Sequence, residues 1–363
     1  MKINRVYYKL PINFEDWMST YFLNKQVSKV KSPIVKKLKN VFVSNQGLVV
    51  RRGFLVLGSA FNLIGLKDNT FYLKFWRLAF VQMIVSKYGK SLQSIRLDSK
   101  HNYLLIHSKW FNYSFWVNSS LLRLIQAEEE GYLTDARLIY PEEWNDIRYV
   151  KESLECFNIK KILIPKDNHL FVKNLILPHT REWTASFLPG ELDKVRLKIV
   201  PCAIKKATFN KDIKRLYLTR KNSRSRSVLN EEELVAVLDK YNFTRFSFDD
   251  ISFWDQVFIM SQLECFISIH GAGFSNVIFM QEGTSVLELV NQSYADIEYK
   301  FPFWKMTVSS NLKYYVQFGK IASKNTKLVS GANPKPNDNY LVDENIYIDP
   351  ILFEKNIKLM LEI

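Results

Sequence analysis

The chain is short of cysteine and has no long apolar run. Its 363 residues include only Cys156, Cys202 and Cys265. Three scattered thiols give neither a disulfide framework nor a four-ligand zinc site, which favours a reducing compartment. The start MKINR lacks the apolar run of a signal peptide, and polar residues interrupt the apolar stretch 54–85 before about 20 residues, the length that spans a bilayer. We therefore expect a cytoplasmic protein, either freely soluble or peripheral on the inner membrane.

Several catalytic motifs are also missing. There is no Gly-x-Ser-x-Gly nucleophile elbow, which argues against a serine hydrolase. Gly89-Lys90-Ser91 resembles the end of a P-loop, but Ile84 stands where that motif needs glycine. The sequence contains no Asp-x-Asp metal motif, and we expect no metal site and no cofactor.

Basic residues outnumber acidic ones by 51 to 36, which gives a formal net charge of +15. This excess predicts an anionic partner. The basic residues are dispersed and no recognition motif accompanies them, so we do not expect nucleic acid. An N-terminal run of lysines suits either an anionic membrane surface or an ordinary solvated face, and both interpretations stay open. The run comprises Lys25, Lys29, Lys31, Lys36, Lys37 and Lys39.

The first half of the chain has the pattern of an α/β domain. Residues 41–57 form short β-branched runs separated by turn residues and predict a hairpin, and residues 70–90 predict a helix. Apolar runs then alternate with amphipathic stretches. The predicted strands are 103–106, 137–140, 161–164 and 174–177, and the predicted helices are 119–129 and 142–157.

The second half predicts a parallel, Rossmann-like sheet because strands and helices alternate regularly. Strands are expected at 215–220, 243–248, 265–269, 285–290 and 312–318, with helices at 231–241 and 252–263. We expect an N-terminal domain over 1–190, a second domain over 191–340, and an amphipathic C-terminal helix over 341–363 that packs back. A linker is predicted after Lys327, where Gly, Pro and Asn accumulate.

Three features converge on the carboxyl edge of the second sheet, where open α/β sheets bind ligands. Arg220 ends one strand, with Arg224 and Arg226 shortly after it; His270-Gly271-Ala272-Gly273 ends another; Glu288 lies near the end of a third. Guanidinium groups, backbone amides and a carboxylate together suit a nucleoside diphosphate. The competing interpretation is a solvated turn, a structural histidine and a surface carboxylate.

The second half resembles glycosyltransferase family 61, a group described as capsular polysaccharide biosynthesis proteins. The similarity extends to Tyr314-Tyr315 and, more loosely, to residues 41–59 and 102–124. The residues that carry it are Tyr217-Leu218-Thr219-Arg220, Arg226, Asn230-Glu231-Glu232, Gln256, His270-Gly271-Ala272-Gly273, Asn276, Gly283 and Val286-Leu287-Glu288-Leu289.

The resemblance implies an α/β protein of the GT-B fold, in which two Rossmann-like domains face each other across a cleft. It implies an inverting, metal-independent transfer of a sugar from a nucleotide-sugar donor, with UDP favoured, to a glycan or lipid-linked glycan in capsule or lipopolysaccharide assembly. By the same resemblance, Arg220 and Arg226 contact the diphosphate, and His270 with the amides of Gly271, Ala272 and Gly273 stabilises the leaving group. Asn276 fixes the loop, and Glu288 contacts the ribose or the nucleoside.

One motif departs from the family. Members carry Asn-Tyr-x-His-Trp followed by an acidic residue, whereas Phe115 and Ser119 stand at those two positions here. An inverting transfer needs a base for the acceptor proton, so His107, Glu128 and Asp135 are candidate substitutes, with His107 placed among the catalytic residues. Asn112, Tyr113 and Trp116 are candidate acceptor contacts, or core residues. A non-catalytic relative that binds nucleotide-sugar or a partner enzyme stays open.

Overall fold

The computed structural model describes residues 2–52, 54–56, 94–108, 111–166, 168–178, 186–220, 226–292, 301–321 and 344–363. The predicted helix 70–90, Arg224 and the Pro-containing part of the predicted linker lie outside these residues. Within them, strands and helices alternate in both halves, which confirms an α/β fold.

Eight strands of the first half form a mixed sheet. In chain order they are β3 Val35–Ser44, β4 Val49–Arg51, β5 Phe54–Leu55, β6 Ser94–Arg96, β7 Asn102–Leu105, β8 Ala136–Pro141, β9 Lys160–Ile164 and β10 His169–Pro178. The order in the sheet is β5-β4-β3-β10-β7-β8-β9, with β6 paired to β10. The predicted hairpin is confirmed, because β3, β4 and β5 pair antiparallel. Since β3 also pairs antiparallel with β10, this sheet is mixed and not fully parallel.

Six strands of the second half form the other sheet. They are β11 Arg215–Leu218, β12 Thr244–Phe246, β13 Cys265–Ile269, β14 Ser285–Asn291, β15 Lys313–Ile321 and β16 Ile346–Tyr347. Their order is β12-β11-β13-β14-β15-β16. The first five are parallel and β16 is antiparallel, as the sequence pattern predicted for the main strands.

Helices cover both sheets. The α-helices are α1 Ser19–Phe22, α2 Tyr113–Phe115, α3 Leu121–Glu129, α4 Arg148–Ser153, α5 Asp193–Lys206, α6 Glu231–Lys240, α7 Phe253–Gln262, α8 Pro302–Ser309 and α9 Pro350–Leu361. The predicted helices 231–241 and 252–263 are confirmed as α6 and α7, and Ser252 caps α7 by accepting from the Asp255 amide at 3.0 Å. The predicted helix 142–157 is instead split by 3-10 turns, and α5 and α8 were not predicted.

The two halves share one continuous hydrophobic core. A single cluster of buried side chains includes Leu104 and Leu138 from the first sheet and Leu216 and Val286 from the second. Helix α5 lies between the halves, where its Lys198 pairs with Glu128 of α3 at 2.6 Å. Separate clusters cover the other face of each sheet. The cleft expected between two GT-B domains therefore stays a prediction.

The N-terminal segment contacts the second half, although the sequence pattern placed it in the first. Strands β1 Ile3–Tyr7 and β2 Val27–Lys31 pair antiparallel as an N-terminal ribbon. Farther along, the Asn13 side chain donates to the Val316 carbonyl at 2.7 Å and accepts from the Val316 amide at 3.1 Å. These contacts fix the segment beside β15.

The strand order determines where a ligand can enter. In the second sheet the chain moves outward from β11 to β12 and then crosses back to β13 on the other side. Such a reversal leaves a crevice at the carboxyl ends of the two diverging strands, here β11 and β13. Arg220 and the glycine loop follow those strands directly.

Candidate functional site

His270, Glu288 and Tyr314 form a buried chain of polar groups at this edge. The His270 Nδ1 donates to Glu288 Oε1, and the Tyr314 hydroxyl donates to Glu288 Oε2 at 2.5 Å. Glu288 and Tyr314 are each only 1% exposed. Because a carboxylate can only accept, its bond to Nδ1 fixes both the tautomer and the rotation of the imidazole ring.

This geometry differs from the expected ribose contact of Glu288. Both carboxylate oxygens bind protein groups, and strand β14 is buried along its whole length. A group that binds ribose hydroxyls must reach the ligand, whereas Glu288 lies behind His270. Glu288 is thus placed to orient His270, and its contact with the ribose or nucleoside stays a prediction.

Arg220 lies directly against the glycine loop. A Cβ atom built on Gly271 would lie 2.3 Å from Arg220 Nη1, a distance that no real contact allows. Gly271 has an extended backbone with φ 169°, so glycine is needed here for room and not for a left-handed conformation. The sequence prediction that Arg220 and the loop meet is thus confirmed.

The loop continues into a 3-10 helix, Ala272–Phe279, whose Asn276 is 0% exposed. The Asn276 amide donates to the Gly273 carbonyl at 3.0 Å, and its Oδ1 accepts from the Tyr113 hydroxyl. A side chain of the first half therefore holds the residue that fixes the loop. Ser275 adds a second link by donating to Ser114 Oγ at 2.6 Å.

The three candidate acceptor contacts have structural partners. Asn112 Oδ1 accepts from the Phe115 amide at 3.0 Å and caps α2, and Trp116 is 0% exposed with its Nε1 donating to Ser153 Oγ at 2.8 Å. Tyr113 bonds Asn276. Trp116–Ser120 forms a π-helical turn that connects α2 to α3. These contacts correspond to the core interpretation and not to an acceptor groove.

The candidate bases of the first half are also engaged or distant. His107 is 1% exposed, and its Nε2 donates to the Asn45 carbonyl at 3.0 Å. Burial lowers the pKa of His107 to about 4. Glu128 pairs with Lys198, and Asp135 is an exposed residue at the end of a 3-10 turn. None of these contacts joins the three residues to His270 or the glycine loop.

Arg226 begins the next described segment of the chain after Arg220. Residues 221–225 between the two arginines lie outside the described part of the chain. Arg226 has φ 57°, and the next amide, that of Ser227, donates to Asn345 Oδ1 at 2.9 Å beside β16. The described contacts join Arg220 to the glycine loop, and the diphosphate contact of Arg226 stays a prediction.

A cavity of about 250 Å³ lies where the two halves meet. The Tyr113 ring contacts Tyr149 at a centroid distance of 5.1 Å, which connects the cavity wall to the residue that holds the glycine loop. Just past β11, the Thr219 amide donates to the Phe246 carbonyl of β12 at 3.0 Å, and the cavity residue Asp249 follows Phe246 by three positions. The cavity is lined by Arg148, Tyr149, Asp249, Asp250, Ile251, Phe253 and Gln256.

Sequence reasoning missed the roles of Tyr314 and Phe303. Tyr314 was noted only as part of the family resemblance, yet it bonds Glu288. Its β15 position is a diagonal neighbour of Glu288 on the same face, since Val286 pairs with Tyr314 and Glu288 with Val316. Phe303 packs on the His270 ring at a centroid distance of 4.7 Å from helix α8, which had no sequence prediction. Only the register between β14 and β15 could have indicated that Tyr314 contacts Glu288.

The described residues contain neither a metal-binding cluster nor a membrane-spanning helix. Among them, no group of three or more His, Cys, Asp or Glu side chains is arranged to hold a metal ion. No helix within the same residues has both the length and the apolar character needed to cross a bilayer.

Comparison with known proteins gives two matches. A family profile described as Glycosyltransferase 61 matches residues 75–287, which is well over half of the chain. A stretch of 78 residues is 37% identical to the EGF domain-specific O-linked N-acetylglucosamine transferase of Drosophila melanogaster. That stretch covers 21% of this chain and 15% of the relative, so the chain spans only a small part of the relative's length.

Proposed function

Because the chain belongs to the glycosyltransferase 61 family, we propose that it transfers a sugar from a nucleotide-sugar donor to a hydroxyl group of a glycan acceptor. The observation that carries the proposal is the contact between the Arg220 guanidinium and Gly271, next to His270, in the crevice between β11 and β13. This is the position at which an open α/β sheet binds a phosphorylated ligand.

In the proposed mechanism, Arg220 and the loop stabilise the departing diphosphate. A guanidinium group supplies a charge and a planar fork of donors that fits phosphate oxygens. Amides of Gly271, Ala272 and Gly273 add fixed dipoles whose reorganisation costs little when charge develops. Together they perform the charge stabilisation that a metal-independent transfer requires, and Arg226 is kept as a second diphosphate contact.

His270 is proposed as the catalytic side chain that contacts the leaving group. With Nδ1 bonded to Glu288, the ring presents its second nitrogen in a fixed direction, and we assign that nitrogen to a donor phosphate oxygen. Glu288 is a positioning residue whose negative charge stabilises the imidazolium form during the transfer. Tyr314 in turn holds Glu288.

The cavity between the halves is proposed to hold the nucleoside end of the donor. It lies beyond β12, next to the strand that leads into Arg220, and Tyr149 and Phe253 supply apolar ring surface there. We propose UDP as the nucleotide. The name of the Drosophila relative makes N-acetylglucosamine the first sugar to test.

The remaining parts of the proposal come from the family resemblance. They are the GT-B arrangement, inversion at the anomeric carbon, a glycan or lipid-linked acceptor in capsule or lipopolysaccharide assembly, and a cytoplasmic location. An anionic membrane surface is proposed as a further partner. In this mechanism His107 and Glu128 do not take the acceptor proton, because each is bonded to another protein group, and Asp135 is exposed at the end of a 3-10 turn. The acceptor oxygen bonds to the anomeric carbon as the bond to the diphosphate breaks, and the hydroxyl proton passes to solvent water.

One observation favours a second candidate function, a non-catalytic relative that binds nucleotide-sugar. Phe115 and Ser119 replace the family's histidine and acidic residue, and Tyr113 and Trp116 are bonded to other protein groups. Both functions predict nucleotide binding. Only the first predicts turnover.

The test combines nucleotide binding with turnover. UDP and UDP-N-acetylglucosamine are expected to raise the Tm of the full chain, and Arg220→Ala should abolish the shift. Arg245→Ala is the matched control, because Arg245 lies in the same sheet and pairs with exposed Glu232 at 3.2 Å. Release of nucleoside diphosphate from a panel of nucleotide-sugars then distinguishes a glycosyltransferase from a non-catalytic protein that only binds the donor. No Tm shift with any nucleotide in a broad panel would overturn the donor site.

A further inference from the structure

The N-terminal ribbon presents one face to the body of the protein and another to solvent. Val6 and Tyr8 of β1 and Val30 of β2 are buried, and Tyr8 packs on Trp304 of α8 at a centroid distance of 5.9 Å. The Tyr8 hydroxyl donates to the Phe187 carbonyl at 3.3 Å. A two-stranded sheet is marginally stable by itself, so this anchoring is what fixes the ribbon.

The alternate positions form the outer face of the ribbon, which combines apolar and cationic side chains. Ile3 is 58% exposed, Tyr7 68% and Val27 47%, values that are unusual for such side chains. The strand register pairs Ile3 with Lys31, Arg5 with Lys29, and Tyr7 with Val27. The outer face therefore consists of Ile3, Arg5, Tyr7, Val27, Lys29 and Lys31.

The charge on this face has one sign. Neither strand contains an acidic residue. The lysines of the N-terminal run do not share one surface. Lys25 lies over the Phe301 ring at 5.1 Å, and Lys37 lies over the Tyr132 ring at 4.8 Å. Lys36 and Lys39 belong to β3. Lys29 and Lys31 are instead joined by Arg5 from the opposite strand.

We propose that the outer face of the ribbon docks on the surface of an anionic lipid bilayer. Cations near such a surface are attracted to its headgroups, and a tyrosine ring suits the boundary between headgroups and hydrocarbon. Apolar burial by Ile3 and Val27 adds to the attraction, as in other interfacial elements. The combination of exposed apolar groups with the exposed cations Arg5 and Lys29 favours lipid over a neutral or cationic partner.

The docking face is linked to the candidate site through one helix. Trp304 of α8 contacts Tyr8 of the ribbon, and the preceding residue, Phe303, contacts His270. A bilayer bound at the ribbon would therefore lie on the α8 side of the second sheet. The inference does not depend on the sugar-transfer chemistry, and either proposal can fail alone.

The test is flotation of the full chain with vesicles. We expect binding to phosphatidylcholine vesicles with about 30% phosphatidylglycerol at about 50 mM salt, weaker binding at about 500 mM, and little binding to phosphatidylcholine alone. Arg5→Glu with Lys29→Glu should lower the partition coefficient at least about 25-fold, from about fivefold per cation. The matched control, Lys211→Glu with Lys355→Glu, makes the same charge change at exposed residues elsewhere and should have little effect.

A second pair of variants tests the apolar part without changing charge. Ile3→Ser with Tyr7→Ser should weaken binding, whereas Ile351→Ser, at a side chain 84% exposed on α9, should not. An unchanged Tm shows that each variant is folded. The proposal is overturned if the wild-type chain does not bind anionic vesicles, or if the control pair lowers binding as much as the ribbon pair. It is also overturned if light scattering shows a dimer that the ribbon variants dissociate.

Discussion

His107 and His270 occupy equivalent places in the two sheets. Each lies just past the carboxyl end of a parallel strand, β7 or β13, and each is nearly hidden from solvent, with 1% and 6% exposure. Their partners differ. His107 donates to the Asn45 carbonyl and packs on the Trp144 ring at a centroid distance of 5.0 Å, whereas His270 donates to the carboxylate of Glu288.

This comparison shows that burial by itself does not identify a functional histidine. The surroundings of His107 favour a neutral ring, because burial lowers its pKa to about 4 and the nearby Arg123 adds a small effect in the same direction. A carboxylate partner instead stabilises positive charge on the ring when it develops. Of the two, only His270 is bonded to a carboxylate and stands in the loop at the crevice between β11 and β13.

The largest expected effect comes from Glu288→Gln. This change keeps the shape of the side chain but removes the charge that orients His270, so turnover should fall by about 10³-fold, with a much smaller change in donor KM. Steady-state kinetics with varied nucleotide-sugar concentration measure kcat and donor KM separately. His107→Gln is the control and should retain turnover in the folded protein. A kcat within threefold of wild type for Glu288→Gln would remove the proposed role.

The pH dependence of stability tests the other histidine. The unfolded pKa of His107 is near 6.5 and the folded one is about 4, so the unfolded chain binds more protons between these values. Stability is therefore lost as pH falls from about 6.5 to about 4, by about 3 kcal/mol from this group. The free energy of unfolding, measured with urea across this range, should depend less on pH in His107→Gln than in the wild type. Equal slopes for both proteins would contradict the assignment.

The glycine loop offers a matched pair of substitutions. Gly271→Ala should push the Arg220 guanidinium away, because its Cβ would lie 2.3 Å from Nη1. The displaced atoms are the tip of a flexible side chain, so donor affinity should fall by about 10-fold to 100-fold with little loss of stability. Gly273→Ala meets Leu218 Cδ2 at 3.1 Å and should change affinity far less. Calorimetry with UDP distinguishes them; equal losses would show that Arg220 is not responsible.

The smallest effect concerns the link between the halves. Tyr113→Phe removes the donor to Asn276 Oδ1 and leaves a buried acceptor, which should lower the free energy of unfolding by about 1–2 kcal/mol. Ser114→Ala removes the acceptor of the Ser275 hydroxyl and of the half-buried Asn118 amide, and it should cost less because a hydroxyl can rotate to another partner. Chemical denaturation measures both. If Tyr113→Phe instead altered acceptor KM alone, the acceptor role first assigned to Tyr113 would return.

Local pattern predicted much of the second half. The alternation of apolar strands with amphipathic helices indicated β11 to β15, and since parallel strands end at one edge, it brought Arg220 and His270-Gly271 together. The orientation of Glu288 could not be predicted this way. All seven residues of β14 are buried, so its sequence does not distinguish one face of the strand from the other.

The first half was harder to interpret at the level of function. Asn112, Tyr113 and Trp116 have the composition of a binding motif. Asn112 caps α2 locally, whereas Tyr113 and Trp116 meet partners that only packing supplies, a loop in the other half and Ser153 of α4. The N-terminal segment likewise runs to β15 because Asn13 pairs with the Val316 backbone, a contact between residues hundreds of positions apart. Such long-range pairings leave no periodic signal in the sequence.

By itself, the sequence determined the α/β class, the parallel second sheet and the edge of that sheet at which positive charge and backbone amides meet. These follow from short-range periodicity and from the geometry of parallel strands. The tertiary structure alone decided that Glu288 serves His270, that Tyr113 holds the glycine loop, and that Arg5 joins Lys29 on the outer face of the ribbon. The reason is physical: strand register and packing between distant segments select a side chain's partner, and neither is encoded in its neighbours along the chain.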